Sequence, residues 1–328
     1  MRVVRPHGGE NFRVQQILHI ANVVLPVFGV IALGYVCAWT GLLRERVAEG
    51  VSDYVYTVAI PLLIFRTLSE ATLPDVSPWG YWGVYFAGAA ISWALAQTIS
   101  LFVFQRGKRE AIVHGVTAAQ SNIVLVGIPL VLAAVGEDGA VPLFLLVAVN
   151  LPIVMTVASL MMEATGAGLS RASFFRLART LATNLILIGF AAGLAAQFLG
   201  IRASGPAKAV IDLIAQSSVP CALFAMGLAL RRYGVLGDIS MTSVVTVLKL
   251  LVHPFIVWLL VTFVVPMPPV FAGVAVLFAS MPSGINAYLI AERYQTGVAA
   301  AAGTVSVSTT LSVLSISFWL WMIGVGVN

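Results

Sequence analysis

Charge is what this sequence has least of. Only 9% of its 328 residues are Asp, Glu, Lys or Arg, against about 25% in an ordinary soluble domain, while 60% are hydrophobic. A water-soluble fold cannot cover its surface with so few charges, so that class is excluded. Cysteine is nearly missing as well. Cys37 and Cys221 both sit inside apolar runs, which rules out a disulfide framework and a four-thiolate zinc site. No Walker A stretch and no HExxH pair occurs, removing an ATP-driven pump of that type and a membrane metalloprotease. Ser283-Gly284 lacks the preceding glycine and the neighbouring histidine that a serine nucleophile needs. The reading is therefore of a non-enzyme, with no metal and no cofactor. The net charge of +5 is spread thinly over loops and tails, which makes no nucleic-acid surface, and the basic residues are read instead as topology signals.

What is present is hydrophobic length. Apolar runs fall at about 16–38, 50–68, 79–104, 111–134, 139–163, 178–199, 207–230, 241–265, 270–291 and 298–325. A run of about 20 apolar residues crosses a bilayer as a helix, so the sequence predicts an all-α polytopic protein of ten spans with its function inside the membrane. Arg2, Arg5 and Arg13 precede the first run, which continues past signal-peptide length with no small-residue cleavage site, and it is expected to be a span. Loops after odd-numbered spans carry Arg44, Arg46, Arg106, Lys108, Arg109, Arg171, Arg176, Arg179, Arg231, Arg232 and Arg293. Those after even-numbered spans carry only Arg202 and Lys208, with Arg66 at a helix end, and the N-terminal tail adds Arg2, Arg5 and Arg13 on the same side, so the bias is eleven against six. The positive-inside bias puts the odd loops in the cytoplasm and both termini on the extracytoplasmic side.

The chain also resembles itself. Val51, Asp53, Pro61 and Phe65 align without a gap on Val210, Asp212, Pro220 and Phe224. Pro129 with Pro282, and Gly139 with Gly297, repeat at similar offsets. Five spans per half is an odd number, so the halves enter the membrane from opposite sides, giving an inverted repeat. The domain reading is a first five-helix repeat over 1–163, a short cytoplasmic linker over 164–177, and a second repeat over 178–328.

The segment from Asn122 through Gly127 to Pro129-Leu130 carries the most chemical information. Proline removes an amide hydrogen and clashes with the preceding turn, so Gly127 and Pro129 are expected to open span four near the midplane. The sequence Ser280-Met281-Pro282-Ser283-Gly284-Ile285-Asn286 repeats the device in span nine. Backbone freed by such breaks must face protein or water rather than lipid. Two half-helix N-termini converging at the midplane make an anion site that needs no buried arginine. The candidate substrate-binding residues are Asn122, Gly127, Ile128, Pro129, Asn150, Met281, Pro282, Ser283 and Asn286, with the two asparagine amides able to donate to a carboxylate. Ser308, Ser312 and Ser315 share a face of span ten, which close helix packing explains as well as substrate contact does. Ionisable residues inside spans default to functional hypotheses. Asp53, Lys249 and His253 are the candidates for coupling, Lys249 and His253 lying four apart on one helix face as a proton or counter-ion pair. The alternative is that Lys249 snorkels to the cytoplasm while His253 meets backbone opened by Pro254.

At these residues the sequence resembles the auxin efflux carrier family, which includes bacterial malonate and malate permeases and the plant PIN auxin carriers. The likeness rests on Gly34-Tyr35, the run Asn122 to Leu130, Gly136-Glu137, Asn150, the Lys249 to Pro254 stretch, the run from Met281 to Tyr294, and Ser308-Thr309. The resemblance implies crossing broken helices four and nine, a scaffold of spans one, two, six and seven, and a transport domain of spans three to five and eight to ten. It further implies carboxylate substrates at the crossover with Asn122 as a ligand, elevator-type movement, and a homodimer formed through the scaffold. The loop after span five is short, unlike that of the plant members, which favours a bacterial-type inner-membrane permease. The expected partners are the bilayer and a small carboxylate, with H+ or Na+ as coupling ion. A sodium-coupled bile-acid or arsenite-type carrier, or an anion channel, is the alternative.

Overall fold

A computed structural model describes residues 9–72, 77–165, 175, 179–233 and 237–324. Among these every regular element is helical, because a helix pairs its backbone groups within one segment and hydrocarbon offers no other partner. The elements are α1 (Gly9–Trp39), α2 (Glu45–Tyr54), α3 (Ile60–Glu70), α4 (Pro78–Phe102), α5 (Lys108–Ala119), α6 (Ile128–Val135) and α7 (Ala140–Ala164). After them come α8 (Leu185–Phe198), α9 (Gly205–Tyr233), α10 (Ile239–Val247), α11 (His253–Leu259), α12 (Pro269–Ser280), α13 (Ile285–Tyr294) and α14 (Val298–Ile323). Most of the expected 164–177 linker lies outside the described residues.

Seven of the described helical runs are long and apolar enough to cross a membrane, fewer than the ten apolar stretches read from sequence. The difference arises where a stretch is divided or short: α12 has 12 residues, α13 has 10, α5 has 12 and α8 has 14. Conversely, the run Ile123–Ala164 covers 42 residues, yet it turns at a 3-10 element, Gly136–Gly139, where Gly136 adopts a φ of +72° that favours glycine.

Among the described residues four π-helical turns interrupt the α-helices: Val55–Ala59, Ile123–Gly127, Leu248–Val252 and Leu260–Val264. Each ends two residues before a proline, namely Pro61, Pro129, Pro254 and Pro266. Proline deprives the carbonyl four residues back of its donor and crowds it, and widening the preceding turn relieves both. This corrects the sequence expectation for span four. Gly127 and Pro129 do not open the helix; the π turn absorbs the proline. The non-helical gap lies earlier, at Gln120–Asn122, between α5 and that turn. In span nine the gap is Met281–Gly284 and contains Pro282, as expected.

Small residues decide which helices touch. α1 lies along α9, where a Cβ on Gly227 would come within 2.0 Å of the Ile31 carbonyl and one on Gly34 within 2.4 Å of the Phe224 carbonyl. α3 lies along α8 at Gly189 and Gly193, which approach Pro61 and Phe65 in the same way. Without a hydrophobic drive between helices in lipid, such close backbone approach is a main source of association. The main core runs from α1 and α9 through α6 to α12 and α14, so the gaps at Gln120–Asn122 and Met281–Gly284 lie in the interior.

Candidate functional site at the helix crossing

The two gaps face one another. Ser121 and Ser283 form an isolated antiparallel bridge, in which the Asn122 amide donates to the Pro282 carbonyl (2.8 Å) and the Gly284 amide to the Gln120 carbonyl (2.9 Å). The hydroxyls cross as well. Ser121 Oγ donates to the Phe278 carbonyl (2.9 Å) and Ser283 Oγ to the Thr117 carbonyl (2.7 Å), so each serine serves the C-terminal end of the other segment's half-helix. This exchange meets the requirement that no backbone group be stranded in the interior. Gly284 is required by space: a Cβ there would sit 2.8 Å from the Ser121 carbonyl oxygen and from Gln120 Cγ. A further bond, from the Ser283 amide to Ser308 Oγ (3.0 Å), ties the second gap to α14.

Two half-helices therefore enter the crossing by their C-termini, α5 and α12. The π turn leading into α6 and the helix α13 leave it by their N-termini. A pocket lies against those N-terminal ends, bordered by Gln120, Ser121, Asn122, Ile123, Gly284, Ile285 and Asn286, with Tyr56 and Asn184 opposite. Ile285, Asn286 and Tyr56 are shared with a wider cavity whose mouth carries Arg44, Glu49, Asp53, Arg231 and Arg232. Asn286 also borders a third, running between α7 and α13 to Glu163 and Arg293. The pocket at the crossing thus shares wall residues with cavities that extend toward one end of the molecule, the end bearing Arg44, Arg231, Arg232 and Arg293.

The residues singled out from sequence fall into three groups. Asn122 and Asn286 line the pocket; Asn122 is 3% exposed and its amide nitrogen donates to Met226 Sδ at 3.1 Å. Met281, Pro282 and Ser283 build the crossing without lining the pocket, while Gly127, Ile128 and Pro129 sit a turn further along, buried in the core. Asn150 is fully buried behind the crossing: its Nδ2 donates to Tyr85 Oη (2.9 Å), and that hydroxyl lies 3.4 Å from Ser121 Oγ. Gln120, Ser121, Gly284, Tyr56 and Asn184 were not anticipated. Of these, only Gly284 had a signal, because it lies in the proline-containing break of span nine.

The coupling candidates separate. Asp53 is exposed at the cavity mouth, while Lys249 and His253 are completely buried. Lys249 does not snorkel. Its Nζ donates to Ser121 Oγ (2.9 Å) and to the Ala279 carbonyl at the C-terminal end of α12 (2.6 Å), and lies 3.3 Å from His253 Nδ1. A cation is favoured at a helix C-terminus, where unpaired carbonyls carry the negative end of the dipole. His253 does not serve the backbone opened by Pro254 either. The deprived carbonyl, that of Leu250, accepts from Ser315 Oγ (2.7 Å) and Trp319 Nε1 (3.0 Å), which assigns part of the serine stripe on α14 to packing.

A bundle of membrane-length apolar helices with a buried polar crossing at its centre defines a multi-pass membrane protein. Residues 19–320 match the family described as membrane transport protein. The chain belongs to that family, the auxin efflux carriers whose motifs it resembles. It is 30% identical over 312 residues to a protein of Rhizobium meliloti (strain 1021) named "Putative malonate transporter", covering 94% of this chain and 97% of that one. It is 27% identical over 302 residues to an "Uncharacterized transporter" of Methanothermobacter thermautotrophicus, covering 90% and 96%.

Proposed function

We propose that this protein is a secondary transporter of a small organic anion, a malonate-like dicarboxylate, and not an enzyme. The observation that carries the reading is the crossing itself. Two half-helix N-termini and the side chains of Asn122 and Asn286 border one pocket, an arrangement that favours a carboxylate through backbone amides and amide side chains. The name of the Rhizobium relative supports malonate as the first substrate to try. The reciprocal exchange of serine hydroxyls supports reading the chain as two inverted five-helix repeats, 1–163 and 178–328, that cross the membrane ten times. α1, α2, α3, α8 and α9 pack largely on one another and form the scaffold, through which two copies associate. The remaining helices form the transport domain, which carries the site across the inner membrane in an elevator movement with both termini extracytoplasmic.

The test is a thermal-shift series on purified protein with malonate, malate and monocarboxylates, repeated on Asn122→Ala. A ligand at a hundredfold excess over its dissociation constant stabilises the native state by about 2.7 kcal/mol. Malonate is expected to stabilise the native protein and to lose that effect in the variant, with uptake into proteoliposomes falling in parallel. Malonate stabilisation unchanged in Asn122→Ala would move the site away from the crossing, and ion currents far above carrier turnover would favour a channel.

A further inference from the structure

The crossing contains a cationic side chain with no anionic partner among the described residues. Lys249 is fully buried, and none of the ion pairs among the described residues includes it. Its contacts are a hydroxyl, a carbonyl and an imidazole nitrogen. Burying an ammonium among neutral groups is costly, and two events relieve the cost: loss of the proton, or arrival of an anion nearby. The pocket proposed for the anion borders Ser121, the residue whose hydroxyl accepts from Lys249.

The hydrogen bonding fits both protonation states without moving a heavy atom. An ammonium has three hydrogens, and three acceptors surround Lys249: Ser121 Oγ, the Ala279 carbonyl and His253 Nδ1. Ser121 can accept because its own hydrogen is directed to the Phe278 carbonyl. A neutral amine keeps the first two bonds and accepts the third from His253 Nδ1–H, the imidazole having changed tautomer. His253 Nε2 is buried with no partner among the described residues, so nothing fixes that tautomer. Around the pair, the ionisable group that α4 contributes is Tyr85, whose ring lies 5.4 Å from the imidazole. The contacts made to Lys249 from the first gap and α12, and to Leu250 from α14, come from a serine hydroxyl, a backbone carbonyl, Ser315 and Trp319, none of which titrates in this range.

We infer that the Lys249–His253 pair is the proton site of this carrier, taking up one proton when a dicarboxylate enters the crossing and releasing it when the anion leaves. The substrate supplies the negative charge that the buried ammonium lacks, and the ammonium, once protonated, supplies positive charge to the occupied crossing. Lys249 acts through Ser121 and the dipole of α12 rather than by touching substrate, so it is a positioning residue. Anion affinity and proton affinity are then linked, each raising the other by the same factor. The inference rests on the anion site proposed above.

The experiment is calorimetric titration of detergent-purified protein with malonate, at mildly alkaline pH where both malonate carboxyls are ionised, in buffers that differ in ionisation enthalpy. The dependence of the observed heat on the buffer gives the protons taken up per malonate bound. The expected result is close to one proton for the native protein and none for Lys249→Met, whose malonate affinity falls at least tenfold. Malonate binding with no proton uptake in the native protein overturns the inference and leaves the anion site standing; that measurement needs no variant to fold. Equal uptake in the native protein and in Lys249→Met also overturns it, by placing the proton elsewhere. If the native protein binds no malonate, the functional reading fails and the inference falls with it.

Discussion

Glycines at helix contacts and the polar residues of the crossing act here through what they leave open or supply. Gly227 brings α9 against α1 so closely that a methyl group would overlap the Ile31 carbonyl, whereas Gly29 on the same α1 has nothing within 4 Å of the place its Cβ would take. Gly227→Ala is expected to destabilise the protein by about 1–3 kcal/mol through overpacking, read as a lower melting temperature in detergent. Gly29→Ala is expected to be neutral or slightly stabilising, since alanine is the better helix former by about 1 kcal/mol. Sequence reasoning picked Asn122, Asn286 and Lys249 because polar groups within apolar runs are conspicuous. It could not tell that Asn286 would border the pocket while Asn150 would lie behind Tyr85, because that depends on the rotation of α7 and α13 against their neighbours. Asp53 and Asp212 align in the repeat yet differ in setting. Asp212 pairs with Arg66 at 2.7 Å, and Asp53 stands at the mouth of the cavity.

Proline marks breaks well and locates them less well. All four π turns precede a proline by two residues, so the positions of strain were legible. Whether a proline opens a helix or is absorbed depends on partners for the carbonyls it strands. At Pro254 those partners are Ser315 and Trp319, on a helix more than sixty residues away, and the helix continues. The gap at Gln120–Asn122 contains no proline or glycine; it is held open by bonds to Gln120, Asn122 and Thr117 from the segment Pro282–Gly284. Gly284→Ala should therefore injure both gaps at once. The expected outcome is a loss of about 1–3 kcal/mol together with loss of malonate-dependent stabilisation, measured by the same thermal-shift series. Retention of both would mean that the crossing tolerates a side chain where it shows no room for one.

For the molecule as a whole, the cavities reach the crossing from the end that carries Arg44, Arg231 and Arg232. The orientation proposed above, from positive-inside bias, puts that end in the cytoplasm. With Cys37 and Cys221 replaced, a cysteine introduced at Leu289, which borders two of the cavities, is expected to react with a membrane-impermeant maleimide in inside-out vesicles and not in intact cells. Labelling in intact cells alone would invert the topology. The helical, membrane-embedded character of the chain was determined by the sequence itself, because long apolar runs leave the backbone no partners but its own. The sites of helix strain were determined there too, since proline carries its missing donor wherever it stands. Only the tertiary structure decided which strained turns open and what meets the groups they release. The partners of Ser121, Lys249 and Leu250 lie on other helices, and a hydrogen bond a few ångströms long depends on how those helices pack, which no local pattern specifies.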